Sequence, residues 1–340
     1  MNSFLKRKGV HPSFQNYGIT ALSYMALGLF STLIIGVIFD TVGTEIPHAP
    51  SFLNELGSQL MQPMIYGGAI GVSIAFGLKA PALVMFSSIF AGAFGAELGG
   101  PAGSFIAALF AIEIGKLVSE ETKIDIIVTP LVTTMTGYFI AIFVGPYISN
   151  FLRGFGSVII WATDLRPLLM GMIIAVLMGL ALTAPISSAA IAIMLELDGI
   201  AAGAATVGCC AQMVGFAVSS YRENGISGLV SQGLGTSMLQ VPNILKNPRI
   251  LIPPTLTGLL LAPVVTIWLQ LENNAYGAGM GTSGLVGPIM TIETMGFSLE
   301  ILVTIILVYF IAPALISLIL SELLRKIGWI RYGDMKLQTK

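Results

Sequence analysis

Apolar runs long enough to cross a bilayer recur along this chain, and a run of that kind has few ways to fold. The bilayer core offers backbone N–H and C=O groups no water, so a spanning segment must bond within itself as a helix or close into a barrel. Ten runs bounded by charge, glycine or proline stand at about 18–42, 59–78, 80–96, 98–119, 124–148, 167–183, 185–197, 199–221, 249–271 and 298–324. Their continuous rather than alternating character predicts helices, and so an all-α polytopic membrane protein of about ten transmembrane helices. Composition agrees: 55% of residues are hydrophobic, 10% are charged, and mean hydropathy is +0.89. The expected surroundings are a lipid bilayer. A formal net charge of −1 supplies no basic surface to neutralise phosphates, which excludes nucleic acid as a partner.

The cations set the orientation. With the amino terminus in the cytoplasm, Lys6, Arg7, Lys8, Lys79, Lys116, Lys123, Arg222, Lys246, Arg249, Arg325, Lys326, Arg331, Lys336 and Lys340 all fall inside. Only Arg153 and Arg166 fall outside, so fourteen of the sixteen obey the positive-inside rule. This predicts an even number of crossings and two short cytoplasmic tails, 1–17 and 325–340. The first run is of spanning length and lacks a cleavage site, which reads as a retained helix rather than a signal peptide. The whole of 1–340 is expected to form one integral membrane domain.

An internal repeat is visible inside it. Phe76–Pro81 (FGLKAP) resembles Leu180–Pro185 (LALTAP), the Glu97-Leu98-Gly99 turn resembles Glu196 to Gly199, and Thr129-Pro130 resembles Pro253-Pro254 with Thr255. The second to fifth spans thus appear twice, as units of about 59–148 and 167–271. The second unit carries an extra piece, 223–248. In both units one span is short, at 80–96 and at 185–197. Paired short segments are a pointer to a transporter's central site, because broken helices leave free termini at the midplane. Glu97, Glu196 and Asp198 sit at those breaks, where an interfacial turn is the competing reading.

The extra piece contains Gly233–Pro242, GLGTSMLQVP, and a copy follows at Gly279–Pro288, GMGTSGLVGP. Both read G-x-G-T-S-x-L-x-x-P, and one apolar span separates them, so they begin on opposite faces of the membrane. Closely spaced glycines let backbone approach a ligand or a helix, and Thr and Ser suit helix N-caps. The pair is expected to form re-entrant or cavity-lining loops that reach one site from two sides. An ordinary loop capping the next helix is the alternative. Gly235, Thr236, Ser237, Gly281, Thr282 and Ser283 are the candidate solute-binding residues, with Gln240, Glu97 and Glu293 next.

Other polar positions carry weaker signals. Glu113 and Lys116 are spaced as an i,i+3 pair. Gln212, within the eighth span, is expected to bond to a neighbouring helix. The threonines at 129, 133, 134 and 136 either serve a polar solute or repair the kink at Pro130. Cys209 and Cys210 read as small packing residues. His11 and His48 join no ligand cluster, and nothing resembles a metal site, a nucleophile with its base, or a Walker loop. No catalytic residue and no cofactor are therefore expected.

The stretch GLGTSMLQVPNILKNPRILIPPTLTG, followed by NNAYGAGMGTSGLVGP, resembles the phosphotransferase-system EIIC type 2 family, which includes perfringolysin O regulator-like membrane proteins. The likeness is dense from about Gly228 to Pro288 and is one of character elsewhere. It implies a multi-pass plasma-membrane permease for a small polar solute, a sugar. It also implies separate cytosolic phosphotransferase subunits, because no phosphorylatable cytosolic domain is expected in this chain. A homodimer is the expected assembly. A ligand sensor that moves nothing, and a secondary transporter driven by an ion, are the competing functions.

Overall fold

The computed structural model describes residues 2–45 and 49–337, and among them all regular secondary structure is helical. His48 and Lys340 lie outside the described residues. One isolated antiparallel bridge joins Gly199 and Asn273. Six helices are long and apolar enough to cross a membrane, or seven if one bent pair counts as a single span. The chain divides into two compact units, 1–40 with 50–152, and 41–49 with 153–340.

The first unit contains α1 (Gln15–Thr44), the pair α2 (Phe52–Leu60) and α3 (Pro63–Gly77) bent by 57°, α4 (Ala82–Val118) and the start of α5 (Asp125–Thr163). Two helical limbs abut within α4, and the chain reverses between them. Gly99 and Gly100 leave helical geometry, and Gly100 adopts φ 59°, ψ −153°, which a side chain would resist. A Cβ on Gly115 would lie 3.0 Å from Val84 Cγ1. In a straight helix those residues would stand about 46 Å apart. The runs at 80–96 and 98–119 are therefore the two limbs of one tight hairpin. Glycines let the neighbours close on it: a Cβ on Gly67 would lie 2.9 Å from Ala93 Cα, and one on Gly137 2.8 Å from Ala91 Cα.

At the end of that hairpin Lys116 Nζ bonds Glu113 Oε1 at 2.7 Å, and Tyr17 donates to the other carboxylate oxygen at 2.8 Å. The α5 threonines serve their own helix, since Thr133 donates to Thr129 O and Thr134 to Pro130 O, each at 2.8 Å. Helix α5 also runs on to Thr163, so the stretch 150–166, expected as an outer connection, is helical for most of its length.

The second unit continues with α6 (Pro167–Thr183), α7 (Ser188–Met194), α8 (Gly199–Ser219), α9 (Tyr221–Val230), α10 (Val241–Lys246), α11 (Pro248–Leu269), α12 (Ala275–Ala278), α13 (Val286–Met295) and α14 (Leu299–Lys326). The run expected over 185–197 reduces to α7, seven residues and about 10 Å long, too short to cross. Helix α8 is the axis of this unit: 89% of its spanning window is buried, against at most 50% in the other candidate spans. Its sequence explains why. Gly203, Gly208 and Gly215 face Leu271, Ala175 and Pro254 so closely that a Cβ would collide at each, and Cys209 and Cys210 are fully buried. Residues this small let α6, α11 and α14 pack against one helix at once.

Candidate functional site: two loops on one buried helix

The two G-x-G-T-S copies form the tips of two helical hairpins in the second unit. The first hairpin descends α9, turns through a π-helical stretch Ser231–Gly235 and a 3-10 turn Ser237–Gln240, and returns along α10. The second enters through Asn273 and α12, turns at Gly281 to Leu285, and returns along α13.

Their bases lie at opposite ends of α8. Asn273 N donates to Gly199 O at 3.2 Å at the amino end. At the carboxyl end, Gln232 Nε2 donates to Ser220 Oγ at 2.9 Å. Gly281 packs against the middle of α8, where a Cβ added to it would sit 2.8 Å from both Cys209 Cβ and the Cys209 carbonyl carbon. The tips then meet: Thr282 Oγ1 donates to Gly233 O at 2.5 Å. Helix α8 has 21 residues, about 31 Å at 1.5 Å each, enough to match a bilayer core. Measured along it, the second loop passes the middle at Cys209 and meets the first beside Met213 to Ala217, between the middle of α8 and its carboxyl end.

Sharing a motif does not give them one conformation. Thr236 is extended (φ −159°, ψ 141°), and its hydroxyl accepts from Met238 N at 3.1 Å, an N-cap. Thr282 caps nothing and reaches across to the other hairpin. Gly281 (φ 54°), Gly284 (φ 54°) and Leu285 (φ 63°) are all left-handed, whereas no residue of 233–242 is. A leucine in that region is strained, and the surrounding contacts must hold it there.

A buried polar belt surrounds the meeting point. Ser237 Oγ lies 2.9 Å from Thr183 Oγ1, which donates to Gln212 Oε1 at 3.3 Å. Gln212 Nε2 in turn donates to Thr255 Oγ1 at 2.9 Å, so this glutamine links α6, α8 and α11. Ser283 is 2% exposed, and its hydroxyl has no hydrogen-bond partner among the described residues. A buried hydroxyl left unpaired costs free energy until something supplies a partner. At the far side, Asn273 Nδ2 holds Thr206 Oγ1 at 2.8 Å and Gly287 O at 3.1 Å, and Ser188 Oγ holds Gly279 O at 2.6 Å.

The expected site residues divide. Gly235, Thr236, Ser237, Gly281, Thr282 and Ser283 come together at the tips. Gln240 is also buried, but its amide donates to Gln232 Oε1 at 2.8 Å and to Met335 O at 3.0 Å, and accepts from Asn243 at 2.8 Å. It braces the hairpin against the carboxyl-terminal segment. Glu293 is exposed on α13, outside this belt, and Glu97 is exposed in the first unit, at the end of the first limb of α4. Glu196 and Asp198 are exposed where α8 begins, whereas the break near half height of α8 is the turn after Thr183. Thr183, Thr255 and Asn273 were not singled out from sequence. The TAP tripeptide ending α6 was noted only as a repeat, although a hydroxyl just before a helix-ending proline was its readable signal.

No curated protein and no solved structure matches this chain. The model of the family described as "Phosphotransferase system, EIIC" matches residues 19–337. That span takes in both hairpins, α8 and all the candidate crossings, which accords with a multi-pass membrane permease component. The chain belongs to the phosphotransferase system EIIC family.

Proposed function

We propose that the chain is the sugar-conducting membrane component of a phosphotransferase system, and that the solute is held where the two hairpin tips meet. The observation that supports this most is the Thr282 Oγ1 to Gly233 O hydrogen bond at 2.5 Å, which joins the two copies beside the carboxyl-terminal half of α8. Non-helical backbone at membrane depth is tolerated where protein buries it or it lines a wet cavity, and broken segments that meet in this way are a pointer to a transporter's solute site. In this reading the hairpins are re-entrant gates, and the hydroxyls of Thr236, Ser237 and Thr282 exchange their bonds to Met238 N, Thr183 and Gly233 O for bonds to sugar hydroxyls, while Ser283 gains a partner.

Ten crossings with a duplicated four-span unit, one membrane domain, a homodimer in the plasma membrane and both termini in the cytoplasm belong to the same reading. So do separate cytosolic subunits that phosphorylate the sugar. The test is uptake and binding by the reconstituted full chain. Thr236→Val and Thr282→Val are expected to abolish both for the transported sugar while membrane insertion stays normal. Normal uptake by both variants contradicts the assignment, and binding without flux in the unmodified protein would make it a sensor instead.

A further inference from the structure

We propose that the polar cavity under the first hairpin is a second binding site, for a small anion that carries hydroxyl groups. The cavity encloses about 660 Å³, within the range of small-molecule sites, and its walls include Glu223, Ser227, Ser231, Asn243, Lys246 and Lys336. One wall is the carboxyl-terminal segment, fixed in place by side-chain bonds to its backbone. Asn224 Nδ2 donates to Met335 O and Leu337 N donates to Asn224 Oδ1, both at 2.8 Å.

Two independent features give the site its chemistry. The Glu223 side chain is fully buried, and its Oε1 is taken by Arg325 Nη2 at 2.8 Å and Gly333 N at 3.3 Å, while its Oε2 has no donor among the described residues. Buried carboxylate oxygens need hydrogen-bond donors, and the hydroxyl of a solute supplies one beside Ser227 and Ser231. Lys246 and Lys336 face the same cavity, are exposed, and pair with no carboxylate among the described residues. With Glu223 already neutralised by Arg325, two free ammonium groups select an anion. Naming that anion as a sugar phosphate rests on the phosphotransferase reading above; the site itself rests on its own residues.

Calorimetric titration of the detergent-purified full chain with the 6-phosphates of glucose, mannose and fructose tests this, with inorganic phosphate and the free hexoses as controls. At least one hexose phosphate should bind saturably, inorganic phosphate more weakly, and the free hexoses should not compete. Lys246→Gln combined with Lys336→Gln should weaken binding at least ten-fold with an unchanged melting temperature, and Ser227→Ala should weaken it less. Thr282→Val should leave it intact, which separates this site from the hairpin tips. The proposal is overturned if none of the three phosphates binds, if the double lysine variant binds as tightly as the parent, or if a free hexose competes equally. Phosphate binding alone, with no gain from the sugar, overturns the hydroxyl part. Loss of hexose phosphate binding in the lysine variant alongside normal uptake in Thr236→Val and Thr282→Val would keep this site and discard the loop site.

Discussion

The two G-x-G-T-S copies carry the same glycines, threonine and serine and use them differently. In the first, Thr236 turns its hydroxyl onto its own backbone and starts a 3-10 turn, so the motif works as a helix cap. In the second, a 3-10 turn Ser283–Leu285 also leads into a helix, but its residues Gly284 and Leu285 are left-handed, the Thr282 side chain does not cap it, and Thr282 reaches the other hairpin. The difference follows from the variable positions. Ser237 is followed by Met238, which continues the helical turn, whereas Ser283 is followed by Gly284, which permits φ 54°. One copy is built to be held and the other to hold it.

Glycine substitutions should separate the copies most strongly. Gly281→Ala places a methyl 2.8 Å from Cys209 and demands a left-handed alanine, so a loss of more than about 2 kcal/mol is expected. Gly235→Ala, with no left-handed φ to satisfy, should cost about 1 kcal/mol or less. Melting temperatures of the two purified variants check the order, and equal losses would erase the distinction.

The threonines come next. Thr282→Val removes a part-buried bond between the hairpins, a loss of about 0.5–1.5 kcal/mol. Thr236→Val removes a cap worth about 1 kcal/mol and leaves the other hairpin untouched. Hydrogen exchange on the 231–240 backbone should rise in both variants, but exchange on 279–288 only in Thr282→Val.

The serines sharpen the contrast further. Ser237→Ala loses the contact to Thr183 and should destabilise by about 0.5–1.5 kcal/mol. Ser283→Ala removes a hydroxyl with no protein partner, so stability should hold or rise slightly while solute affinity falls. Unchanged affinity in Ser283→Ala would take that residue out of the site.

The smallest effect lies in the first unit, where charged side chains hold the amino-terminal segment to the turn after α4. Lys8 contacts Glu121 at 2.5 Å and Arg7 contacts it at 2.6 Å, and they hold its carboxyl below the usual range, Lys8 contributing most. A depressed carboxyl stabilises docking of the amino-terminal segment above its unfolded pKa, and that contribution disappears as pH falls through the folded value. Acidification below the ordinary carboxylate range should therefore expose 2–9 to proteolysis, and Glu121→Gln should abolish the pH dependence.

Much of this was legible in the sequence because membrane folding leaves few alternatives. The spans α1, α8, α11 and α14 follow from apolar length alone, and the pairing of Gln212 with neighbouring helices follows from the cost of an unpaired amide in an apolar segment. The hairpin in α4 was legible as two runs because Gly99-Gly100 interrupts them. Less readable was where the breaks fall in depth. Glu97, Glu196 and Asp198 mark turns at helix ends, while the half-height turn follows Thr183, which no charge advertises. The role of Gln240 was hidden for another reason. Its partners Gln232 and Met335 are 8 and 95 residues away, and a single sequence does not report such pairings.

The meeting of the hairpin tips is tested most directly by cross-linking in native membranes. In a Cys209→Ala, Cys210→Ala background, Gly233→Cys combined with Thr282→Cys should be joined efficiently by a short bifunctional thiol reagent, which tolerates a Gly233 Cβ directed at Ala217, as readily as Thr257→Cys with Ser317→Cys, whose native hydroxyls lie 2.8 Å apart. Efficient cross-linking of the reference pair without any at 233 and 282 would contradict the account.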